Sequence, residues 1–369
     1  LFASSNIQDV AGNSLRMVGY RPNATGRRFD EEAFELIYDP ANGFGFQFTV
    51  NNTFPGDPSP HDVDQLVSTV GVVVVGQDDI GMINYQEGPD VARNAHGDYV
   101  VVWVEYSQVI DATDMPFEGD EDDLPIILAV PPLSTNIMAQ RFGADGRERG
   151  EAILVNTLTV GMQTEPAVAI DDAGNFVVVW SGDGFELGDE SGIFGQRFDA
   201  DGGRLGGQFR INQFTTSGVY GVNTEQDEPA VAMNPNNGDF VVSWTSFGQD
   251  GSMDGVYARR YSGNGSAQGN EFLVNATTVG AQGNSGVAMD GLGNFVVTWQ
   301  SEHDTSGLGV YAQRFSNTGT RLGGEFRVNT YRNGDQDSPA VAMDRQGNFV
   351  IVWASWQDGS GYGVYGQIY

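Results

Sequence analysis

Cysteine is absent from the 369 residues, which excludes disulfides, thiolate metal sites and cysteine nucleophiles. Lysine is absent as well: the 18 basic residues are all arginine and face 49 acidic ones, for a formal net charge of −31. A surface of that sign argues against nucleic acid and anionic membrane as partners, since both are held through basic patches. It is tolerated best in a salt-rich or divalent-cation-rich exterior that screens self-repulsion. Histidine occurs only at His61, His96 and His303. No nucleophile elbow, phosphate-binding loop or histidine-rich metal spacing accompanies these residues. Long apolar runs are missing too, the best being Pro125–Pro132, so no direct membrane insertion is expected. Apolar residues at the helical spacing are equally scarce, which points to an almost entirely β chain.

What is present is repetition. The phrase PAVAMDRQGNFVIVW (339–353) recurs as GVAMDGLGNFVVTW (286–299), PAVAMNPNNGDFVVSW (229–244), PAVAIDDAGNFVVVW (166–180) and PDVARNAHGDYVVVW (89–103). Its tryptophans, Trp103, Trp180, Trp244, Trp299 and Trp353, lie 77, 64, 55 and 54 residues apart. Each copy reads as an apolar run, a turn, a β-branched strand ending in Trp, a polar loop, a GVYAQRF-like strand, a second turn and an EFRVNT-like strand. Gly97, Gly174, Gly238, Gly293 and Gly347 mark the first turn, where a hairpin favours positive φ. Four short strands per unit at this spacing predict a β-propeller.

The expected fold is all-β, a six-bladed propeller in a single domain. Residues 33–77 form a degenerate first blade, and 86–157, 163–213, 225–276, 281–330 and 335–369 form the rest. The last of these lacks its own fourth strand. Leu15-Arg16-Met17, within an N-terminal segment 1–20, resembles Phe326-Arg327-Val328, and the strand bearing Leu15, Arg16, Met17 and Val18 is expected to supply it, closing this ring or a neighbour's. Because the first residue is Leu, the numbering is expected to start inside a longer precursor.

The variable loops fall between strands two and three and between successive blades, which share one face of a propeller. Asp250, Asp304 and Asp358 recur there and are candidate Ca²⁺ ligands, although Asp-Gly and Asp-x-Ser are also ordinary turn formers. An acidic insertion runs from Asp111 to Asp123. Phe185, Tyr220, Phe247, Trp356 and Tyr362 are binding-face aromatics able to stack on sugars or anchor a protein. The third strand repeats Gln-Arg (Gln140-Arg141, Gln196-Arg197 and Gln313-Arg314, with Arg259-Arg260 in 225–276), and the Arg recurring once per blade reads as an inter-blade hydrogen-bonding device.

GNFVVTWQS, QDGSGYGVYGQ, GVYAQRF and GGEFRVNT resemble the tandem repeats of very large secreted or surface-attached bacterial proteins, over roughly residues 86–369. IQDVAGNSL (7–15) resembles the end of a bacterial Ig-like module. The resemblance implies an extracellular or cell-surface setting and transfers no catalytic residue. The resulting expectation is a non-enzymatic structural or adhesive module, a fibre or surface-layer subunit when the N-terminal strand is donated. Its partners would be other copies of itself, a cell-surface protein or a polysaccharide. The alternative is a carbohydrate-binding or glycan-cleaving propeller acting through the loop-rich face.

Overall fold

Five antiparallel sheets follow one another along the chain, each a meander of neighbours in sequence order. The computed structural model describes residues 81–110, 134–159, 161–184, 189–215, 225–303, 307–357 and 361–369. The first sheet holds β1 (Gly81–Arg93), β2 (Tyr99–Ile110), β3 (Thr135–Phe142) and β4 (Ile153–Leu154). The second holds β5 (Gln163–Ile170), β6 (Phe176–Gly184), β7 (Asp189–Phe198) and β8 (Phe209–Arg210). The third holds β9 (Gln226–Met233), β10 (Phe240–Phe247), β11 (Asp254–Tyr261) and β12 (Phe272–Leu273). The fourth holds β13 (Gln282–Met289), β14 (Phe295–Ser301), β15 (Gly309–Phe315) and β16 (Phe326–Arg327). The fifth has three strands, β17 (Gln336–Met343), β18 (Phe349–Ser355) and β19 (Gly363–Ile368).

The arrangement is a β-propeller of four-stranded blades. Adjacent sheets bury apolar faces against each other, so the core is divided into layers between blades. One layer joins Val177, Val179, Ile193 and Ile211 of the second sheet to Val242, Trp244 and Tyr257 of the third. The next joins Val241, Val256 and Val274 to Val297, Trp299 and Tyr311. Each blade also stacks an aromatic at the start of its second strand on one at the end of its third: Phe176 on Phe198, Phe240 on Tyr261, Phe295 on Phe315 and Phe349 on Tyr369, at 4.8–4.9 Å.

Innermost strands β1, β5, β9, β13 and β17 neighbour one another in turn. Their hairpin turns converge at one end. Asp172 donates its N–H to the Pro235 carbonyl (2.9 Å), Asn236 reaches the Gly291 carbonyl (2.7 Å), and Arg345 pairs with Asp172. Turns three blades apart can touch only if the succession curves around a common axis. The opposite end, where the innermost strands begin, is the rim, and register places the loops between second and third strands there: Ser246 opposes both Gln226 and Gly255.

The five turn glycines all have positive φ, from 72° at Gly238 to 93° at Gly97. The third-strand arginines do bridge blades: Arg197 donates to the Gly263 and Asn264 carbonyls (2.6 and 2.7 Å), and Arg260 to Asn317 (2.6 Å). The preceding glutamines turn inward, Gln196 and Gln313 each donating to carbonyls of their own blade. The degenerate blade at 33–77 and the strand bearing Leu15, Arg16, Met17 and Val18 lie outside the described residues, as does the acidic insertion 111–123.

Candidate functional site

Each innermost strand carries the same frame, Gln-x-X-Pro or its Gln-x-X-Ser variant, within β1 at Gln86–Pro89 and at the start of the others at Gln163–Pro166, Gln226–Pro229, Gln282–Ser285 and Gln336–Pro339. Buried amides anchor it. Gln163 Oε1 accepts the indole N–H of Trp180 (2.8 Å) and Gln226 Oε1 that of Trp244 (3.0 Å), whereas Gln282 Oε1 accepts from Asn275 (3.0 Å). The ladder then slips, with register shifts between Thr164 and Ala167 and between Gly283 and Gly286. The third residue of the frame occupies the slip and adopts left-handed φ: 58° at Gly88, 53° at Glu165, 50° at Glu228, 52° at Asn284 and 50° at Ser338. Four of these five residues are not glycine, so each carries about 1 kcal/mol or more of backbone strain.

Curvature makes these residues neighbours at the rim, and hydrogen bonds tie the last three of them and Glu165 to the adjacent blade. Glu165 Oε2 accepts the Glu228 N–H (2.8 Å). Glu228 Oε2 accepts the Asn284 N–H (2.6 Å) and the Thr245 hydroxyl (2.8 Å). Gln300 Oε1 accepts the Ser338 N–H (3.1 Å).

Asp227 stands beside Glu228, opposite Thr245 in the ladder. Burial, and then the charges of Glu228, Glu165, Asp254 and Glu225, push its carboxyl up to about 7, and its Oδ1 has no hydrogen-bond partner among the described residues. Asp254, at the start of β11, is raised by burial and then by Glu228, Glu302, Glu225 and Asp250. Glu165 is raised chiefly by burial, which outweighs the hydrogen bond from Glu228. The arrangement thus holds a carboxyl that keeps its proton near neutral pH beside a hydrogen-bond-accepting carboxylate. That pairing can protonate a leaving oxygen and activate a water or attack a carbon.

Few of the residues expected from sequence meet at this cluster. Asp250 serves its turn, Oδ1 accepting the Ser252 N–H (2.9 Å), and its charge reaches Asp254. Asp304 and Asp358 lie outside the described residues, and among the described residues no group of three or more His, Asp or Glu is arranged to hold a metal. Phe247 ends β10 opposite Asp254 and is half-buried. Trp356 and Tyr362 are exposed on the rim, edge to face at 5.4 Å. Phe185 and Tyr220 lie outside the described residues. Glu165, Asp227 and Glu228 were not singled out by the sequence reading. The available signal was the constant Gln three residues before Pro or Ser, enclosing a residue that varies.

No protein-family model matches the chain, and no curated protein does. Solved structures similar to it include an α-L-arabinofuranosidase of Fusarium graminearum in complex with an iminosugar inhibitor, at 14% identity and a TM-score of 0.46 over 76% of each chain. An α-L-arabinanase of Penicillium chrysogenum complexed with arabinobiose is 13% identical, with a TM-score of 0.43 over 77% of this chain and 93% of that one. A protein of unknown function from Dyadobacter fermentans is 12% identical, with a TM-score of 0.35 over 77% and 94%. At these identities the likeness is one of fold. Carbohydrate-acting enzymes stand among these neighbours, contrary to the expectation of a non-enzymatic structural or adhesive module assembling into a fibre or surface layer; the likeness itself assigns this chain no activity. On the same side stands the rim, where Asp227 is pushed up to about 7 by burial and then by neighbouring like charges.

Proposed function

We propose that this chain is an extracellular carbohydrate-acting β-propeller that binds a glycan on its loop-rich face and hydrolyses a glycosidic bond at the rim cluster. The observation that carries the reading is Asp227, a partly buried carboxyl pushed up to about 7 beside Glu228 and Glu165. Glycoside hydrolysis needs an acid still protonated at working pH and a second, ionised carboxylate close by. Asp227 donates its proton to the glycosidic oxygen as the C–O bond breaks. Glu228, held by Asn284 and Thr245, acts at the anomeric carbon, as base toward water or as nucleophile. The ionised neighbours also stabilise the cationic character that develops on the sugar ring.

The test is release of reducing ends from a panel of soluble polysaccharides (arabinan, xylan, galactan and mixed-linkage glucan), with Asp227→Asn and Glu228→Gln as controls. Cleavage of at least one polymer is expected, with each variant slowed by about 100-fold or more, the usual contribution of a positioned acid or base. Absence of products from the whole panel, or variants as fast as the parent chain, would overturn the reading.

A further inference from the structure

The rim carries an aromatic pair that the carboxylate chemistry leaves unused. Trp356 directly follows β18 and Tyr362 directly precedes β19. Ser355 opposes both Gln336 and Gly363, so both aromatics stand beside the rim end of β17, the innermost strand of the fifth blade. Their rings meet at 87° and are 55% and 58% exposed. The corresponding steps elsewhere are occupied by Phe247 and Asp254 in the third blade and by Glu302 and Leu308 in the fourth. No other described blade pairs two aromatics there. The other five tryptophans, Trp103, Trp180, Trp244, Trp299 and Trp353, are buried, the most exposed being Trp353 at 7%.

Polar groups beside the pair complete its chemistry. The Tyr362 hydroxyl donates to Asp337, and Asp335 lies close enough to act on the same hydroxyl. Asp337 precedes Ser338, the residue at the strand slip, whose N–H continues the rim connection to Gln300. An aromatic face next to carboxylate acceptors suits a sugar ring, which offers an apolar C–H face and hydroxyl donors at its edge. A uronate or sulfated sugar would bring its charge directly against Asp335 and Asp337.

We propose that Trp356 and Tyr362 form a stacking subsite for one ring of an uncharged polysaccharide, whose scissile bond lies at Asp227 and Glu228. The proposal rests on the glycan-cleaving reading above and deepens it to a substrate class, a neutral polymer long enough to span from the third blade to the fifth.

The experiment separates the two. In the full chain carrying Asp227→Asn, tryptophan emission is titrated with neutral polysaccharides and, separately, with polygalacturonate. Because Trp356 is the exposed indole, binding at the pair should shift or quench its signal, and a further Trp356→Ala substitution should abolish the change and weaken affinity for the neutral polymer by about tenfold. Trp356→Phe should restore most of that affinity. In the otherwise unaltered chain, Trp356→Ala should raise KM for the polymer and leave kcat unchanged. Polymer cleavage with parental KM in the Trp356→Ala chain would overturn the subsite while leaving the hydrolase reading intact. Polymer binding that depends on Trp356, without cleavage by the parent chain, would do the reverse. Equal affinity for polygalacturonate would overturn the uncharged substrate class. If Trp356→Ala impairs only capture of a protein partner, the pair is a protein anchor and the proposal fails.

Discussion

Replacing Asp227 by Asn removes a titrating charge with almost no change of shape, and its effect on stability should depend on pH with a defined sign. The carboxyl sits at about 7 in the folded chain against an ordinary 3.8. Below about pH 3.8 it is protonated in both folded and unfolded states and contributes no difference. Between 3.8 and 7 the unfolded chain releases the proton first, so folding loses stability progressively, and the loss is complete once pH passes 7. Three units correspond to about 4 kcal/mol, and partial solvent screening at this half-buried position reduces that to roughly 2–4 kcal/mol. Asp227→Asn should therefore raise the unfolding midpoint at pH 8 by roughly 3–6 °C, by progressively less as pH falls, and by almost nothing at pH 3.5, while glycan cleavage is lost. Thermal unfolding of both chains from pH 3.5 to 8.5 reads this out. Equal midpoints at pH 8, or a stabilisation independent of pH, would refute the account of Asp227 as a carboxyl raised by burial and like charge.

Two other substitutions probe the frame that carries the rim. Asn275 is fully buried; its Oδ1 accepts the Val256 N–H, and its amide donates to Thr277 and Gln282, all within 3.0 Å. Asn275→Ala should cost about 2–3 kcal/mol by chemical denaturation, because two buried polar groups and one partly buried carbonyl lose a partner; a change below about 0.5 kcal/mol would show that the clamp is redundant. Arg345 and Asp172 join turns three blades apart but remain accessible to solvent, so Arg345→Ala should cost less than about 1 kcal/mol and nothing measurable in 1 M salt.

The propeller was legible because each blade solves the same packing problem with the same residues. The Trp that fills the inter-blade layer, the turn glycine at positive φ and the arginine that reaches the next blade all recur in phase. The asparagine clamp was present in the same repeats as the VNT, INQ and VNA strings (155–157, 211–213 and 274–276), but its use of both side-chain functions emerges only when the fourth strand docks on the third. The same burial overrides a sequon: Asn275-Ala-Thr reads as a glycosylation acceptor, yet Asn275 has no exposed surface. The rim cluster was not legible for a different reason. Glu165 and Glu228 belong to different blades and meet only through curvature about the axis, and a residue preceding proline is not expected to adopt left-handed φ.

A purely architectural account of the rim is available and has to be weighed. Glu165 and Glu228 each accept the N–H of the next blade's slip residue, and holding adjacent blades together would be reason enough to keep an acceptor there. Gln300, on the second strand of its blade, however, holds the N–H of the slip residue Ser338 with an uncharged amide. Acceptor geometry alone therefore does not call for carboxylates, and two acids close to Asp227 impose repulsion that glutamines would avoid. Asp227 itself accounts for none of the inter-blade connections described, leaves Oδ1 without a partner, and loses stability at neutral pH by ionising. Architecture explains why acceptors stand at the slip positions; it does not explain why an unbonded acid is held between them at a proton affinity matched to neutral-pH chemistry. Glu165→Gln and Glu228→Gln, which preserve the acceptors, accordingly divide the two roles: an architectural rim keeps its fold and its function, whereas a catalytic one keeps only its fold when Glu228 is changed.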